Sequence, residues 1–286
     1  MLNFWPFFLS AFLMVTMPLV VAWLIWRRRQ ARWGLFFIGL AGFILSQIFH
    51  IPFNWLVVNQ LKLIPTDTAV LSSLILMSLF IGASAGFFEE TTRYLTLRYW
   101  AKDARTWGRG MMHGAGWGGI ESILYGLLVG INAVVLAAMS QGFLMELIPE
   151  AQRPLLDQQI AAMLALPWYE AMLGSLERAF AIILQLSLSL MVMQALVRGR
   201  FRWWWLAFLW HTLVNAVVVF AQFQWQNVYL TEGLVALFAL GSLGMILWLR
   251  KPEPVEPAQE PLPPPPPVVA QYTPLDLDKL DNSKYS

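Results

Sequence analysis

The sequence predicts an all-α, polytopic membrane helix bundle of about seven transmembrane helices, with its N-terminus outside and a disordered tail in the cytoplasm. Three observations carry this. The 286-residue chain is 58% hydrophobic and only 13% charged, whereas soluble domains carry about 25% charged residues. Its apolar runs are continuous and helix-length rather than alternating, which excludes a membrane β-barrel. Its basic residues gather in alternate connections. The net charge of +2 is too small to imply a nucleic-acid partner. The lack of cysteine rules out disulfides, thiolate metal sites and a cysteine nucleophile. The 15 tryptophans suit a chain with many bilayer interfaces.

Runs long enough to span the bilayer lie at about 4–26, 34–58, 68–97, 111–137, 171–197, 203–223 and 232–249. The first run has no basic stretch before it and is followed by Arg27, Arg28 and Arg29. It therefore reads as a span with an outer N-terminus, not as a cleaved signal peptide. The inner connections then hold Arg27, Arg28, Arg29 and Arg32, next Arg98, Lys102, Arg105 and Arg109, and next Arg198, Arg200 and Arg202. Arg250 and Lys251 follow the last span, while the outer connections hold only Lys62 and Arg153. Positive residues mark the cytoplasmic side, so this is a strong orientation signal, and it expects a multi-pass protein of the cell membrane. The outer connection from 138 to 170 holds Pro154–Leu166, a candidate interfacial helix. Residues 1–251 thus form one helical domain. Residues 252–286, with Pro261 to Pro267, form a polar, proline-rich tail that solvates as a disordered segment or serves a proline-recognising partner.

Charge inside lipid costs roughly 2.5–3.5 kcal/mol per residue, so each buried ionisable group calls for a partner or a function. The third span carries Glu89, Glu90 and Arg93. Arg93 reaches either carboxylate from one helix face. It neutralises one and leaves a second carboxylate suited to general-base chemistry, unless the set is a structural ion pair. The sixth span carries His211 and Asn215 on one face. Glu89 and His211 each lie about 14 Å of helix from the inner end of their span, hence at one depth. His113 opens the fourth span and is shallower, about 6 Å beyond Arg109. Gly114, Gly116, Gly118 and Gly119 follow it, either for close helix packing or to leave a groove for a substrate backbone. Glu121, two turns deeper, is placed to orient a histidine, to bind a polar substrate group or to make a structural hydrogen bond. Glu177 with Arg178 reads as a structural pair far from the cluster in depth, His50 as structural or interfacial, and Gln185, Ser187 and Ser189 as glue between helices.

The order Glu89-Glu90-x-x-Arg93, then His113, then His211-x-x-x-Asn215 resembles a known pattern. It is similar to the superfamily of type II CAAX prenyl endopeptidases and bacteriocin-processing enzymes (CPBP), with the PrsW-like proteases, and within it to the YhfC-like family of intramembrane peptidases. The resemblance covers residues 85–220. The prenyl endopeptidases place three residues between the acidic pair and the arginine, where this chain has two, and Arg109 stands where an aromatic often precedes the histidine. The resemblance implies hydrolysis of a peptide bond in a membrane-bound peptide or protein. Glu89 would activate water with help from His113, and His211 and Asn215 would stabilise the oxyanion. Glu90, Arg93 and Glu121 would support them. It leaves the cofactor open. Glu89, His113 and His211 are a candidate Zn²⁺ set, while the lack of an H-E-x-x-H run favours metal-free chemistry. Two other classes use such buried groups: a proton-coupled transporter, against which stands the lack of an inverted repeat, and a non-catalytic membrane scaffold or sensor.

Overall fold

The computed structural model describes residues 4–143, 146 and 148–250. Among them no strand occurs, and the long elements are helices α1 (Trp5–Arg29), α2 (Trp33–Trp55), α3 (Leu71–Tyr99), α4 (Trp107–Ser140), α5 (Arg153–Ala165), α6 (Trp168–Val197), α7 (Arg202–Trp225) and α8 (Val228–Trp248). A π-helical turn, Leu56–Gln60, extends α2. All but α5 are long and apolar enough to cross a membrane. They coincide with the seven runs read from the sequence, and α5 falls on the expected interfacial segment. The expected tail, 252–286, lies outside the described residues.

Local chemistry sets the ends. Pro6 opens α1, where a missing N–H costs nothing, and Arg27, Arg28 and Arg29 fill its last turn, where cations suit the helix dipole. Thr106 caps α4 by accepting from Arg109 N, and Asn227 caps α8 by accepting from Leu230 N. Gln226 adopts a left-handed φ of 49°, which stops α7 and turns the chain directly into α8. On the arginine-rich end, Arg32 grips Asp103 through two parallel bonds of 2.7 and 2.8 Å, tying the α1–α2 connection to the α3–α4 connection. Partial burial works against the Asp103 carboxylate, yet the Arg32 guanidinium holds its pKa below the usual value.

Helix α6 is the axis of the bundle. Of its most apolar stretch 72% is buried, against 33% or less in every other span. It packs on α1, α4, α7 and α8, while α3 lies along α7 and α2 along α4. Close approach depends on glycine. A Cβ on Gly116 would stand 1.9 Å from the Phe36 carbonyl oxygen, and one on Gly39 would stand 2.1 Å from that of His113. Gly114 and Gly118 meet α6 in the same way, at the Leu186 Cα and the Gln185 Cβ. The fourth-span glycines therefore serve helix contact on two sides and leave no groove there. Phe12, Phe37, Ile51, Leu237 and Trp248 remain exposed around the outside. Large apolar side chains on the rim and polar ones at the centre identify a multi-pass integral membrane protein.

Gly116→Ala and Gly39→Ala are expected to destabilise the bundle by on the order of 1–3 kcal/mol, because backbone, not a flexible side chain, blocks the new methyl. Gly233→Ala, with nothing within 4 Å, should leave stability unchanged or slightly raised. Thermal melts in detergent compare the three.

Candidate active site

The polar residues of α3 meet those of α2, α4, α6 and α7 at one level. Arg93 is fully buried and organises them. Its Nε stands 3.0 Å from Glu90 Oε2, and its Nη1 donates to Ser189 Oγ at 2.6 Å and to the Gln185 carbonyl at 3.2 Å. Its Nη2 donates to the Gln185 side-chain oxygen. The guanidinium also lies over the Trp117 ring, 4.2 Å from its centroid. Arg93 thus takes Glu90 as its close partner, while Glu89 stands 3.9 Å away.

Glu89 is oriented by neutral donors. Trp117 Nε1 donates to Oε2 at 3.0 Å and Gln185 Nε2 to the same oxygen at 3.3 Å. Gln47 Nε2 reaches Oε1 at 3.4 Å. The carboxylate lines a cavity of about 180 Å³ together with His211, Asn215, Glu121 and Gln185. Across from it, His211 Nδ1 bonds Glu90 Oε1 at 2.7 Å. With the Glu90 carboxylate accepting, Nδ1 carries the proton, and among the described residues Nε2 has no hydrogen-bond partner. Asn215, one turn along α7, brings its side-chain amide to the same cavity. The pair Glu89 and His211, expected at one depth, does share one cavity.

His113 lies elsewhere. It is fully buried, with Nε2 3.3 Å from Thr96 Oγ1 and Nδ1 3.4 Å from Ser189 Oγ. Thr96 gives its own proton to the Arg93 carbonyl, so His113 Nε2–H donates to Thr96 and Ser189 donates to Nδ1. Both ring nitrogens are spent on structure. The next turn of α4 brings Trp117 to Glu89 in its stead. The reason is rotational: Gly114 and Gly118 press α4 onto α6 and Gly116 presses it onto α2, which fixes the face each residue shows.

Two further readings change. Arg178 pairs not only with Glu177 but also with Glu121 Oε1, at 2.7 Å. Glu121 is in turn linked to Glu89 through Gln185 Nε2, which lies 3.4 Å from Glu121 Oε2. The outer pair therefore belongs to the same polar system. His50 joins it too, through Gln47 Oε1 at 3.3 Å, and is otherwise held by Asn54 and Ser84. Trp117, Gln47 and Gln185 were not legible as site residues. Neutral side chains raise no alarm in an apolar helix, although Gln185 stands out as a buried amide.

Glu89, His113 and His211 do not form the candidate Zn²⁺ site. Among the described residues no three of His, Cys, Asp or Glu converge. Of the proposed ligands only Glu89 and His211 face the cavity, and His113 is turned away with both nitrogens occupied. Catalytic zinc takes three protein ligands.

Purified protein dialysed against Zn²⁺ and then buffer is accordingly expected to keep substoichiometric zinc, read by elemental analysis. One tightly held zinc per chain would reverse that reading. Arg93→Leu should destabilise the bundle by about 3–5 kcal/mol, since it strands the buried Glu90 carboxylate. A double variant Glu90→Leu/Arg93→Leu should melt at a higher temperature than Arg93→Leu alone.

Comparison with known proteins adds the relationship. The family model described as "YhfC intramembrane metalloprotease" matches residues 13–237. The "Uncharacterized membrane protein YhfC" of Bacillus subtilis (strain 168) is 32% identical over 245 residues, covering 82% of this chain and 90% of the relative. No solved structure matches. With a family model across most of its spans and a relative aligned over nearly its whole length, the chain belongs to the YhfC family, which is described as a family of intramembrane metalloproteases.

Proposed function

We propose that this chain is an intramembrane endopeptidase that hydrolyses a peptide bond of a membrane-associated substrate. The carrying observation is the Glu89 carboxylate, held by three neutral donors and lining the same cavity as His211 and Asn215. In this reading Glu89 takes a proton from water as the oxygen adds to the scissile carbonyl carbon. The developing oxyanion accepts from the Asn215 amide and from His211 Nε2–H. With Nδ1–H committed to Glu90, donation from Nε2 uses the doubly protonated ring, whose charge is balanced by the Glu89 carboxylate and then by the oxyanion. Glu89 then returns its proton to the amide nitrogen as the C–N bond breaks. Arg93 keeps Glu90 in position, and His113 stabilises the fold. The apolar wall formed by Val214, Val218 and Phe238 suits a lipid-borne substrate. The family description supports proteolysis by a metal. Glu89 and His211 fall one ligand short of a catalytic zinc, so no step is routed through one.

A second reading has one observation in its favour. Hydrogen bonds run without a break from His50 through Gln47, Glu89 and Gln185 to Glu121 and Arg178. Buried glutamates and histidines of this kind serve proton relays in coupled transporters. Proton uptake into proteoliposomes distinguishes it from proteolysis.

Glu89→Gln should lower cleavage by about 10²–10⁴-fold, the usual contribution of a general base, with the melting profile kept. The check is mass spectrometry of new peptide N-termini in membranes carrying the wild type or the variant. Termini that persist with Glu89→Gln would remove Glu89 as the base. No difference between wild type and empty membranes would favour the scaffold or transporter.

A further inference from the structure

The cavity at Glu89 does not stop at its polar floor. Three of its wall residues, Glu177, Val218 and Val235, are also walls of a second cavity of about 340 Å³. That second space is lined by Gln222, Gln226, Asn227 and Thr231, where α7 ends and α8 begins. Gln222, Gln226 and Asn227 are exposed, so it opens at that end of the bundle. The two spaces share one carboxylate and two valines as a common boundary.

Polar groups accompany the whole length. From the floor outward, Gln185 bonds Glu89 and Glu121, and Arg178 bonds Glu121 and Glu177. Beyond this boundary, Glu232 adds a further carboxylate to the wall of the second cavity. The opposite direction is packed shut. Leu97 on α3, Met112 on α4 and Leu188 and Leu190 on α6 are fully buried, and each lies between the site and the arginine-rich connections along its helix.

We propose that water reaches the Glu89–His211 site from the α7–α8 end, through a hydrated passage whose neck is Glu177, Val218 and Val235. The passage is a property of its walls and holds whether or not Glu89 performs hydrolysis. Joined to the proposed hydrolysis, it names the face of the membrane from which the consumed water comes, which is the face opposite the arginine-rich connections. Glu89 and His211 lie nearer the arginine-rich ends of α3 and α7 than the opposite ends. The passage nevertheless connects them to the other side.

The chain contains no cysteine, so single-cysteine variants report position directly. Val218→Cys and Val235→Cys probe the neck from two helices, and valine to cysteine is a small change in volume. Gln222→Cys marks the mouth, Lys102→Cys marks the arginine-rich end, and Leu188→Cys marks the packed interior. Each is treated with a cationic, membrane-impermeant methanethiosulfonate in vesicles of both orientations. Both neck cysteines should react only from the side that labels Gln222→Cys, and Leu188→Cys from neither side. Neck labelling from the Lys102→Cys side would overturn the proposal. So would neck cysteines that react only with a lipid-soluble maleimide, which would mean a dry seam. Glu89→Gln in the Val218→Cys background should label as before, which separates loss of the passage from loss of the chemistry.

Discussion

The bundle is assembled around one buried guanidinium. Arg93 has no access to water, and everything within reach of it is arranged to replace the hydration it has lost. Glu90 supplies the countercharge from the same helix, Gln185 and Ser189 supply acceptors from α6, and Trp117 supplies its ring face from α4. Glu90 then passes the constraint to α7 through His211. A planar group with several fixed donors can hold that many helices in register, which a lysine ammonium cannot. The geometry around Glu89 is therefore inherited: Trp117 and Gln185 both serve Arg93 and both donate to Glu89.

This arrangement separates two kinds of histidine. His113 has a donor and an acceptor for its two nitrogens and ends its hydrogen-bond chains in Thr96 and Ser189. His211 has one nitrogen anchored and one open to a cavity. Only the second kind has capacity left for a ligand or a reaction. Residue type and spacing cannot distinguish them, because the difference lies in what surrounds each ring.

The sequence foretold most of the fold, since lipid imposes a length and a polarity on every span and the apolar runs obey both. It also pointed to Glu89, Glu90, Arg93, His211 and Asn215, because charge and amide groups are conspicuous against an apolar background. It was silent on rotation. Whether His113 or Trp117 faces Glu89 depends on how α4 is turned, and that is set by backbone contacts of Gly114, Gly116 and Gly118 that become visible only in three dimensions. Depth counting also misjudged Glu177 and Arg178. It measured each span from its own end, while Glu121 on the long helix α4 reaches far enough to join them to the centre.

The local pairing of Glu90 with Arg93 has a consequence for biosynthesis. These residues lie one turn apart, so the pair can close inside α3 as soon as that segment is helical. A nascent α3 thus enters the bilayer with part of its charge already neutralised, well before α6 and α7 have been translated. Gln185, Ser189 and His211 arrive later and take up the donors and acceptors that remain. The ion pair at the centre of the finished protein therefore also serves as the segment's own escort into the membrane.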